Sequence, residues 1–340
     1  MRGIVFPGDR KVEVKDFTEP EPGPGEVVVQ MKVAGLCGSD LHLYRQTAAQ
    51  REGNETIPGH EPSGIVAAVG EGVNIVHVGD RVSVYHYRGC GHCRHCLAGN
   101  LMWCPERRGY GGPIHGSDAD LLLTDARNCL PLPAELSFEY GALMACAAGT
   151  AFSATRKLQV SGQDSLVIFG LGPVGLSGLL MAKARGGRVI GAEPIAERRT
   201  LALDLGADEV IDPGQVDVLA AVRELTHGEG ADLAFETSGS AAGQNGAVEC
   251  LRLGGKAVFV GLGAREKTLN SSQIIGRQLT LMGSFVMPIY MYWDLVDLII
   301  ERQIPLHKMI THRFSIEQAP EAFELFDGGR TGKVIFEWTD

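Results

Sequence analysis

The sequence has little that would place it in a membrane. Its longest apolar stretch, residues 166–182, is marginally short for a transmembrane helix and is interrupted by four glycines and Pro173. A strand, a turn and a helix explain residues 166–182 better than a transmembrane helix does. The first residues, MRGIVFPGDRK, lack the apolar core of a secretory signal. We therefore expect a cytoplasmic protein without membrane contact, in which clustered cysteines serve metal binding or catalysis before disulfides.

Basic charge is also scarce. The chain has 31 Lys and Arg against 41 Asp and Glu, a net charge of −10. This balance argues against nucleic acid or anionic membranes as partners, because both require basic patches. The sequence also lacks internal repeats, a G-X-Y period and Gly/Ser tracts. Its 45 glycines therefore indicate tight turns and close backbone approaches.

The pattern of strands and helices changes along the chain, and 340 residues suffice for two domains. Up to about residue 150, short strands alternate with Gly/Pro turns, which predicts a compact β domain. From about residue 160, buried strands alternate with helices, which predicts an α/β fold with a doubly wound parallel sheet. The predicted strands are 27–33, 64–69, 80–84, 165–169, 188–192, 209–211, 232–235, 256–260 and 279–282. A helix at 293–302 and a strand at 333–336 could complete either domain.

A glycine-rich turn follows the first strand of the second part. Gly170, Gly172 and Gly175 match G-x-G-x-x-G, with Pro173 and Val174 between the last two. Such glycines allow a tight turn, let the backbone approach a pyrophosphate and let the helix pack on the strand. The motif predicts a dinucleotide site; a turn without a ligand is the alternative.

The next strand ends at Glu193, 18 residues after Gly175. An acid at this place is expected to accept hydrogen bonds from the ribose hydroxyls, and it would repel a 2′-phosphate. We therefore expect NAD rather than NADP as the cofactor. Arg198 and Arg199 follow closely and weaken that preference.

Four cysteines give the clearest metal motif. Their spacing is C-x2-C-x2-C-x7-C, and they are Cys90, Cys93, Cys96 and Cys104. Four thiolates close a tetrahedral zinc site without an open position, so we predict a structural zinc that holds a loop together. An iron–sulfur cluster is the alternative, but the bacterial ferredoxin motif has three residues before its last cysteine, not seven.

Three further candidate metal ligands are dispersed along the chain. Cys37 precedes Gly38-Ser39-Asp40-Leu41-His42, His60 and Glu61 follow Gly59, and Cys146 precedes Ala147. Taken singly, each has a structural interpretation, because free cysteines are often buried and His60 could be a hydrogen-bonded core residue.

The segment GHEPSGIVAAVGEGV, residues 59–73, matches G-H-E-x2-G-x5-G-x2-V at every fixed position. With Cys37, the four-cysteine motif, Cys146 and the glycine-rich turn, the chain resembles zinc-dependent medium-chain alcohol and polyol dehydrogenases over essentially its whole length. The resemblance implies a GroES-like β-rich catalytic domain (residues 1–150 and 286–340) and a Rossmann dinucleotide-binding domain (residues 151–285). It also implies a homodimer or homotetramer.

The resemblance assigns roles to single residues. It implies that Cys37, His60 and Cys146 bind a catalytic zinc, with Glu61 behind the metal as an alternative ligand, so that each chain holds two zinc ions. Asp40 would orient His60, Ser39 would bind the substrate hydroxyl and His42 would pass the proton outward. The implied cofactor contacts are Thr150, Gly170, Gly172, Pro173, Val174, Gly175, Glu193, Arg198, Leu262 and Lys333.

The implied reaction is hydride transfer from a small-molecule alcohol, deprotonated with the help of zinc, to NAD. Cys146 favours the classical alcohol branch, whereas Cys37-Gly38-Ser39-Asp40 favours the polyol and threonine branches. His86 lies where many relatives carry an apolar pocket residue, which indicates a polar substrate; a solvent-facing loop histidine is the alternative. A secondary alcohol or sugar alcohol is the expected substrate. A primary alcohol, or a non-catalytic dinucleotide-binding protein, is the alternative.

Overall fold

The computed structural model describes residues 1–263 and 270–339, and its strands in these ranges form two large sheets and two small strand pairs. The strands before residue 150 are β1 Arg2–Gly8, β2 Lys11–Asp16, β3 Glu26–Gly35, β4 Pro62–Val69, β5 Arg81–Val84, β6 Tyr87–Arg88, β7 Arg108–Gly109, β8 Leu121–Asp125 and β9 Cys129–Pro131. The helices of this part are α1 Asp40–Tyr44, α2 Ala48–Arg51, α3 Arg94–Leu97, α4 Phe138–Ala145 and α5 Ala147–Leu158.

The second part alternates strands with helices. Its strands are β10 Ser165–Phe169, β11 Arg188–Ala192, β12 Glu209–Ile211, β13 Ala231–Glu236, β14 Leu251–Phe259 and β15 Thr280–Gly283. Its helices are α6 Pro173–Ala184, α7 Ala196–Asp204, α8 Val218–Leu225, α9 Ala241–Glu249 and α10 Ser271–Gly276. The C-terminal elements are α11 Tyr292–Glu301, β16 Ile310–Phe314, α12 Ala319–Asp327 and β17 Lys333–Glu337.

The six strands of the second part form a parallel sheet in the order β12-β11-β10-β13-β14-β15. This is the doubly wound order of a Rossmann fold, so the predicted fold class is confirmed. β10 is buried along nearly its whole length because helices cover both faces of the sheet. The strand order reverses between β10 and β13, and the crevice at such a reversal is where ligands bind in these sheets.

The first large sheet is antiparallel apart from one strand pair and forms the core of the GroES-like domain. Its order is β16-β17-β3-β4-β5-β9, with β8 also paired to β3. β17 runs antiparallel to β3, with Phe336 opposite Ala34. The C-terminal segment therefore completes the first sheet and not the parallel one.

The largest apolar cluster joins the two sheets. It contains Leu143 of α4, Phe152 of α5, Leu166 of β10 and Leu179 of α6, all buried, together with Leu295 of α11. A shared core of this kind fixes how the ends of α4 and α5 lie against the parallel sheet. Among the described residues, no helix has the length and apolar character needed to cross a bilayer.

Candidate active site and metal centres

The dispersed ligands predicted from the sequence lie together. Cys37 follows the end of β3, His60 and Glu61 precede β4, and Cys146 lies between α4 and α5. One ligand atom from each of the four residues lies within 4.8 Å of the others. A sulfur–sulfur–nitrogen set with an additional carboxylate is a set that zinc accepts in proteins, so the residues fit the expected metal.

Local backbone geometry brings these ligands inward. Cys146 has φ −139° and ψ −74°, which ends α4 and separates it from α5. Gly59 has φ +90°, and a Cβ atom there would lie 2.1 Å from Asp118 Oδ1. Glycine is therefore required immediately before His60.

Asp40 contacts both ends of the ligand set. Its Oδ1 lies 3.0 Å from His60 Nδ1, and its Oδ2 accepts a hydrogen bond of 2.8 Å from the backbone N–H of Cys37. With Nδ1 bonded to Asp40, Nε2 is the ring nitrogen free to bind a metal. Asp40 is thus placed as the sequence analysis expected of a residue that orients His60.

The side chains of Cys37 and Cys146 are hydrogen-bonded to each other. Their hydrogen bond lowers the pKa of Cys37 well below its usual range and raises the pKa of Cys146 well above it. Burial opposes the charged form of His60, but Asp40 and Cys37 raise the pKa of His60 well above its usual range. These shifts favour the Cys37 thiolate beside a protonated His60 and a neutral Cys146, so a metal that binds here would displace the protons of His60 and Cys146.

Glu61 and Lys333 form an ion pair behind the cluster, and neither side chain is exposed. Lys333 Nζ also donates to the carbonyl of Leu36 at 2.7 Å. Burial raises the pKa of Glu61 to about 7, although Lys333 opposes this shift. In this conformation Lys333 is occupied by Glu61 and not exposed to the cofactor crevice, so its expected pyrophosphate contact stays a prediction.

The residues of the expected proton path are near the cluster but are not joined to each other. Ser39 Oγ lies 3.4 Å from His60 Nε2, which places the hydroxyl beside the metal-binding nitrogen. His42 is exposed on α1. Its side chain has no hydrogen bond to Ser39 among the described residues, and only its backbone N–H bonds to the carbonyl of Ser39.

The four-cysteine motif forms a second, separate cluster. One sulfur from each of Cys90, Cys93, Cys96 and Cys104 lies within 4.8 Å of the others. Backbone N–H groups donate to three of the sulfurs. The donor from Cys96 to Cys93 is the largest of the effects that lower the pKa of Cys93 to about 7 and favour its thiolate. The cluster fits the predicted structural zinc, whose four positions the protein fills.

The glycine-rich turn lies between β10 and α6, at the reversal of strand order. Gly172 caps α6 and Pro173 is its first residue. A Cβ atom at Gly175 would lie 2.0 Å from the carbonyl oxygen of Gly170. Only glycine therefore allows this close approach of helix and turn.

Glu193 lies at the carboxyl end of β11, beside the turn. Its carboxylate accepts from the backbone N–H groups of Leu171 at 2.7 Å and Ile195 at 3.0 Å. Arg198 donates to the carbonyl of Thr331 at 3.0 Å, and its guanidinium lies 4.0 Å from Glu193. An acid and an arginine thus face the helix terminus where a dinucleotide would bind.

The three remaining predicted cofactor contacts lie on different elements. Thr150 is buried on α5, and its backbone N–H donates to the carbonyl of Cys146 at 2.8 Å. Val174 is half-buried in the first turn of α6. Leu262, beyond the end of β14, is 75% exposed. The roles of these three residues stay predictions.

The structure adds two aromatic residues that the sequence analysis did not single out. Tyr87 lies 4.8 Å from His86 and 6.0 Å from Phe285, measured between ring centres. His86 itself is only 5% exposed, so the interpretation as a solvent-facing loop residue is wrong. Tyr85 and Tyr87, two tyrosines close after β5, were the sequence feature that could have drawn attention to Tyr87. No pattern in the sequence singled out Phe285.

Comparison with known proteins places the chain in a family. Residues 23–134 match the alcohol dehydrogenase GroES-like domain, and residues 173–301 match the zinc-binding dehydrogenase domain. The uncharacterized zinc-type alcohol dehydrogenase-like protein YphC of Escherichia coli (strain K12) is 35% identical over 354 aligned residues, covering 100% of this chain and 99% of YphC. An L-threonine 3-dehydrogenase of Pyrococcus horikoshii is 34% identical, covering 95% of this chain and 94% of that protein.

Solved structures agree with the sequence matches. The short chain alcohol dehydrogenase of Escherichia coli CFT073, in complex with NADH, superposes with a TM-score of 0.90 at 27% identity, covering 99% of each chain. The fold, the clustered ligands and these similarities support one assignment. The chain belongs to the zinc-type alcohol dehydrogenases, which are oxidoreductases that act on CH–OH groups with a nicotinamide cofactor.

Proposed function

We propose that the chain oxidises a secondary alcohol, sugar alcohol or related hydroxy compound at the Cys37–His60–Cys146 cluster, with NAD as hydride acceptor. The observation that carries this proposal is the cluster itself: two thiols and an imidazole lie within 4.8 Å of one another, with the Ser39 hydroxyl beside His60. Three protein ligands leave a fourth position for substrate, as in catalytic zinc sites.

When bound, zinc supplies the Lewis acidity that lowers the pKa of an alcohol. Asp40 keeps the Nε2 atom of His60 turned toward the metal position and holds the Cys37 backbone. Ser39 would accept the substrate proton as it gives up its own hydroxyl proton, so that the serine stays neutral. A bridging hydroxyl or water would carry that proton to His42, because the side chains of Ser39 and His42 are not hydrogen-bonded to each other, and His42 would release it to solvent.

NAD supplies the hydride acceptor when it binds along the glycine-rich turn. The N–H groups at the start of α6 would hold its pyrophosphate, and Glu193 would accept from its ribose. The carboxylate of Glu193 is the reason to prefer NAD, because it would repel the 2′-phosphate of NADP. Arg198, 4.0 Å from Glu193, is the feature that opposes this preference.

We further propose two zinc ions per chain, one in each cysteine cluster. The protein would work in the cytoplasm as a homodimer or homotetramer. The edge strand β15 is exposed at both ends, at Thr280 and Gly283, and it is a candidate for pairing with a second copy.

One assay tests the proposal. The zinc-loaded protein is incubated with NAD and a panel of secondary alcohols, sugar alcohols, L-threonine and primary alcohols, and the absorbance of reduced nicotinamide is followed. We expect turnover with secondary alcohols or polyols. Faster turnover of primary alcohols would favour an aldehyde-forming enzyme. No turnover, together with one zinc per chain, would favour a non-catalytic dinucleotide-binding protein.

A further inference from the structure

Two adjacent polar side chains near the catalytic cluster are buried without partners. Ser117 and Asp118 are both 0% exposed. Neither the hydroxyl of Ser117 nor either carboxyl oxygen of Asp118 has a hydrogen-bond partner among the described residues. We call these two residues the buried pair. Buried polar atoms in native proteins are nearly always hydrogen-bonded, so the buried pair requires a partner that the described part of the chain does not supply.

The buried pair lies against the residue that precedes His60. A Cβ atom at Gly59 would be 2.1 Å from Asp118 Oδ1 and 2.8 Å from Ser117 Oγ, so both side chains point at the backbone of Gly59. The backbone N–H of Gly59 likewise has no acceptor among the residues that the structure describes. Three unsatisfied polar groups therefore meet one peptide away from a proposed metal ligand.

Backbone hydrogen bonds fix the buried pair in this place. The N–H of Ser117 donates to the carbonyl of Gly59 at 3.1 Å, and the N–H of Asp118 donates to the carbonyl of Pro58 at 3.0 Å. On the other side, the carbonyl of Asp118 accepts from the N–H of Ile4 at 2.9 Å. The two side chains cannot turn away from Gly59 without breaking these bonds, so the partner has to come to them.

A water molecule has the chemistry that this place demands. Internal waters typically make about three hydrogen bonds to otherwise unsatisfied groups, and a water both donates and accepts. Burial, and then the neighbouring carboxylate of Asp40, raise the pKa of Asp118 well above its usual range. The neutral acid that this favours also donates and accepts, whereas a bound cation requires a charged carboxylate. Water is therefore a better partner than a metal ion.

We propose that the buried pair binds one internal water molecule, which also accepts from the N–H of Gly59, and that Asp118 acts through this water as a positioning residue for His60. The inference rests on the proposed metal centre and adds a residue to its support. Asp40 holds the ring of His60 at 3.0 Å, and the water holds the backbone that leads into it. An acid buried at such a cost is expected beside a functional group and not in an ordinary core.

A crystal structure of the protein, at a resolution that shows ordered waters, tests for the water itself. We expect one water within about 2.7–3.2 Å of both the Ser117 hydroxyl and a carboxyl oxygen of Asp118. A cation at this place, or Asp118 bonded directly to protein groups with no water between them, would overturn the proposal. This result depends neither on turnover nor on bound zinc.

Variants test the positioning role. Asp118→Leu keeps the branched shape but removes the hydrogen-bonding oxygens, and we expect the zinc affinity of the catalytic cluster to fall about tenfold or more in chelator competition. Asp118→Asn can still bond the water and should stay within about threefold of the wild type. Asp80→Leu, which replaces a half-exposed carboxylate, is the control and should change nothing. An equal loss in Asp118→Asn would show that charge matters and not the water, contrary to the proposal.

Cobalt(II) in place of the catalytic zinc separates positioning from folding, because its visible absorption reports the ligand geometry. We expect a shifted spectrum in Asp118→Leu and a wild-type spectrum in Asp118→Asn. A lower urea midpoint with an unchanged spectrum would indicate a purely structural role and refute the proposal. If Asp118→Leu does not fold, Ser117→Ala, which removes one partner of the water, gives the same comparison. If the cluster binds neither metal, the proposed function fails, while the crystal structure still decides whether the buried pair holds the water.

Discussion

Asp40 Oδ1 lies 3.0 Å from Nδ1 of His60, and the same carboxylate accepts from the backbone N–H of Cys37 at 2.8 Å. One side chain therefore positions two of the three proposed ligands of the catalytic metal. The geometry makes Asp40 a positioning residue, since it acts through His60 and Cys37 and does not itself belong to the ligand set.

Asp40→Asn should weaken zinc binding at this site. The amide keeps the size of the side chain but removes the charge that supports His60, and loss of such a partner costs about 10–100-fold in metal affinity or activity. Competition with a chromophoric chelator measures the affinity. Asp80→Asn is a matched control because Asp80 faces His77 at the surface, 3.8 Å away. Wild-type affinity in Asp40→Asn would contradict the positioning role.

Removing one member of the Glu61–Lys333 ion pair should destabilise the protein more than removing both. Lys333→Met leaves a buried carboxylate without its cation, which typically costs about 3–5 kcal/mol of unfolding free energy. The double variant Glu61→Gln/Lys333→Met removes both charges and should recover part of that loss. Urea unfolding at fixed zinc concentration measures both values.

Lys183→Met is the control for this pair, because Lys183 bonds Asp208 at 2.7 Å at the partly exposed surface. A surface pair of this kind contributes about 1 kcal/mol or less. A double variant no more stable than Lys333→Met would show that the buried charges do not depend on each other.

The cysteine lobe should support stability and not chemistry. Cys104→Ser should lower the zinc content from two ions per chain to one and lower the melting temperature, because the lobe has few apolar contacts of its own. Residual folded protein should keep its kcat. Cys37→Ser is the comparison and should lose the other zinc and turnover together. Unchanged melting with lost turnover in Cys104→Ser would contradict a structural zinc.

Features that depend on neighbouring residues could be predicted from the sequence. The glycine-rich turn, the strands before and after it and the doubly wound sheet are set by local spacing and burial, and the structure has them. β10 and β11 have the predicted bounds. The family resemblance is confirmed as well, because its motif at residues 59–73 is contiguous and specific.

Features that depend on distant segments could not be predicted in the same way. Tyr87 meets Phe285 across almost 200 residues of sequence, and no local pattern links the two. Asp118 is buried against Gly59 with no hydrogen-bond partner for its carboxylate in the described residues. Burial raises the pKa of Asp118 well above its usual range. Sequence composition alone would have placed this aspartate at the surface.

Glu193 should determine the choice of cofactor. Glu193→Ser removes the carboxylate that would repel a 2′-phosphate and leaves Arg198 nearby to attract it. We expect the ratio of kcat/KM for NAD to that for NADP to fall by about tenfold or more, the effect of one charge pair in a crevice. Initial rates with both cofactors measure the ratio. Glu197→Gln, on the exposed side of α7, is the control. An unchanged ratio, or a wild type that uses NADP as efficiently as NAD, would remove Glu193 from this role.

Asp232 should make the stability of the cofactor-binding sheet depend on pH. Its Oδ2 accepts from the backbone N–H of Ser165 at 2.8 Å and from the Ser165 hydroxyl at 2.7 Å, which joins β13 to β10. Burial opposes the charged form, but the bonds from Ser165 and the ion pair with Arg252 prevail and lower the pKa of Asp232. Because the folded-state pKa lies below the unfolded one, the carboxylate stabilises the fold above the unfolded pKa of about 3.9.

That stabilisation disappears as the pH falls through the folded-state pKa, so Asp232→Asn should differ most from the wild type at neutral pH. We expect a deficit of about 1 kcal/mol at about pH 7, shrinking toward zero below about pH 4. Urea unfolding across this range, with the two proteins compared at each pH, measures the deficit. Asp204→Asn, exposed at the end of α7, should show no such dependence. A deficit that stays constant or grows toward acid pH would mean that the Asn side chain perturbs packing, and that the charge of Asp232 does not hold the two strands together.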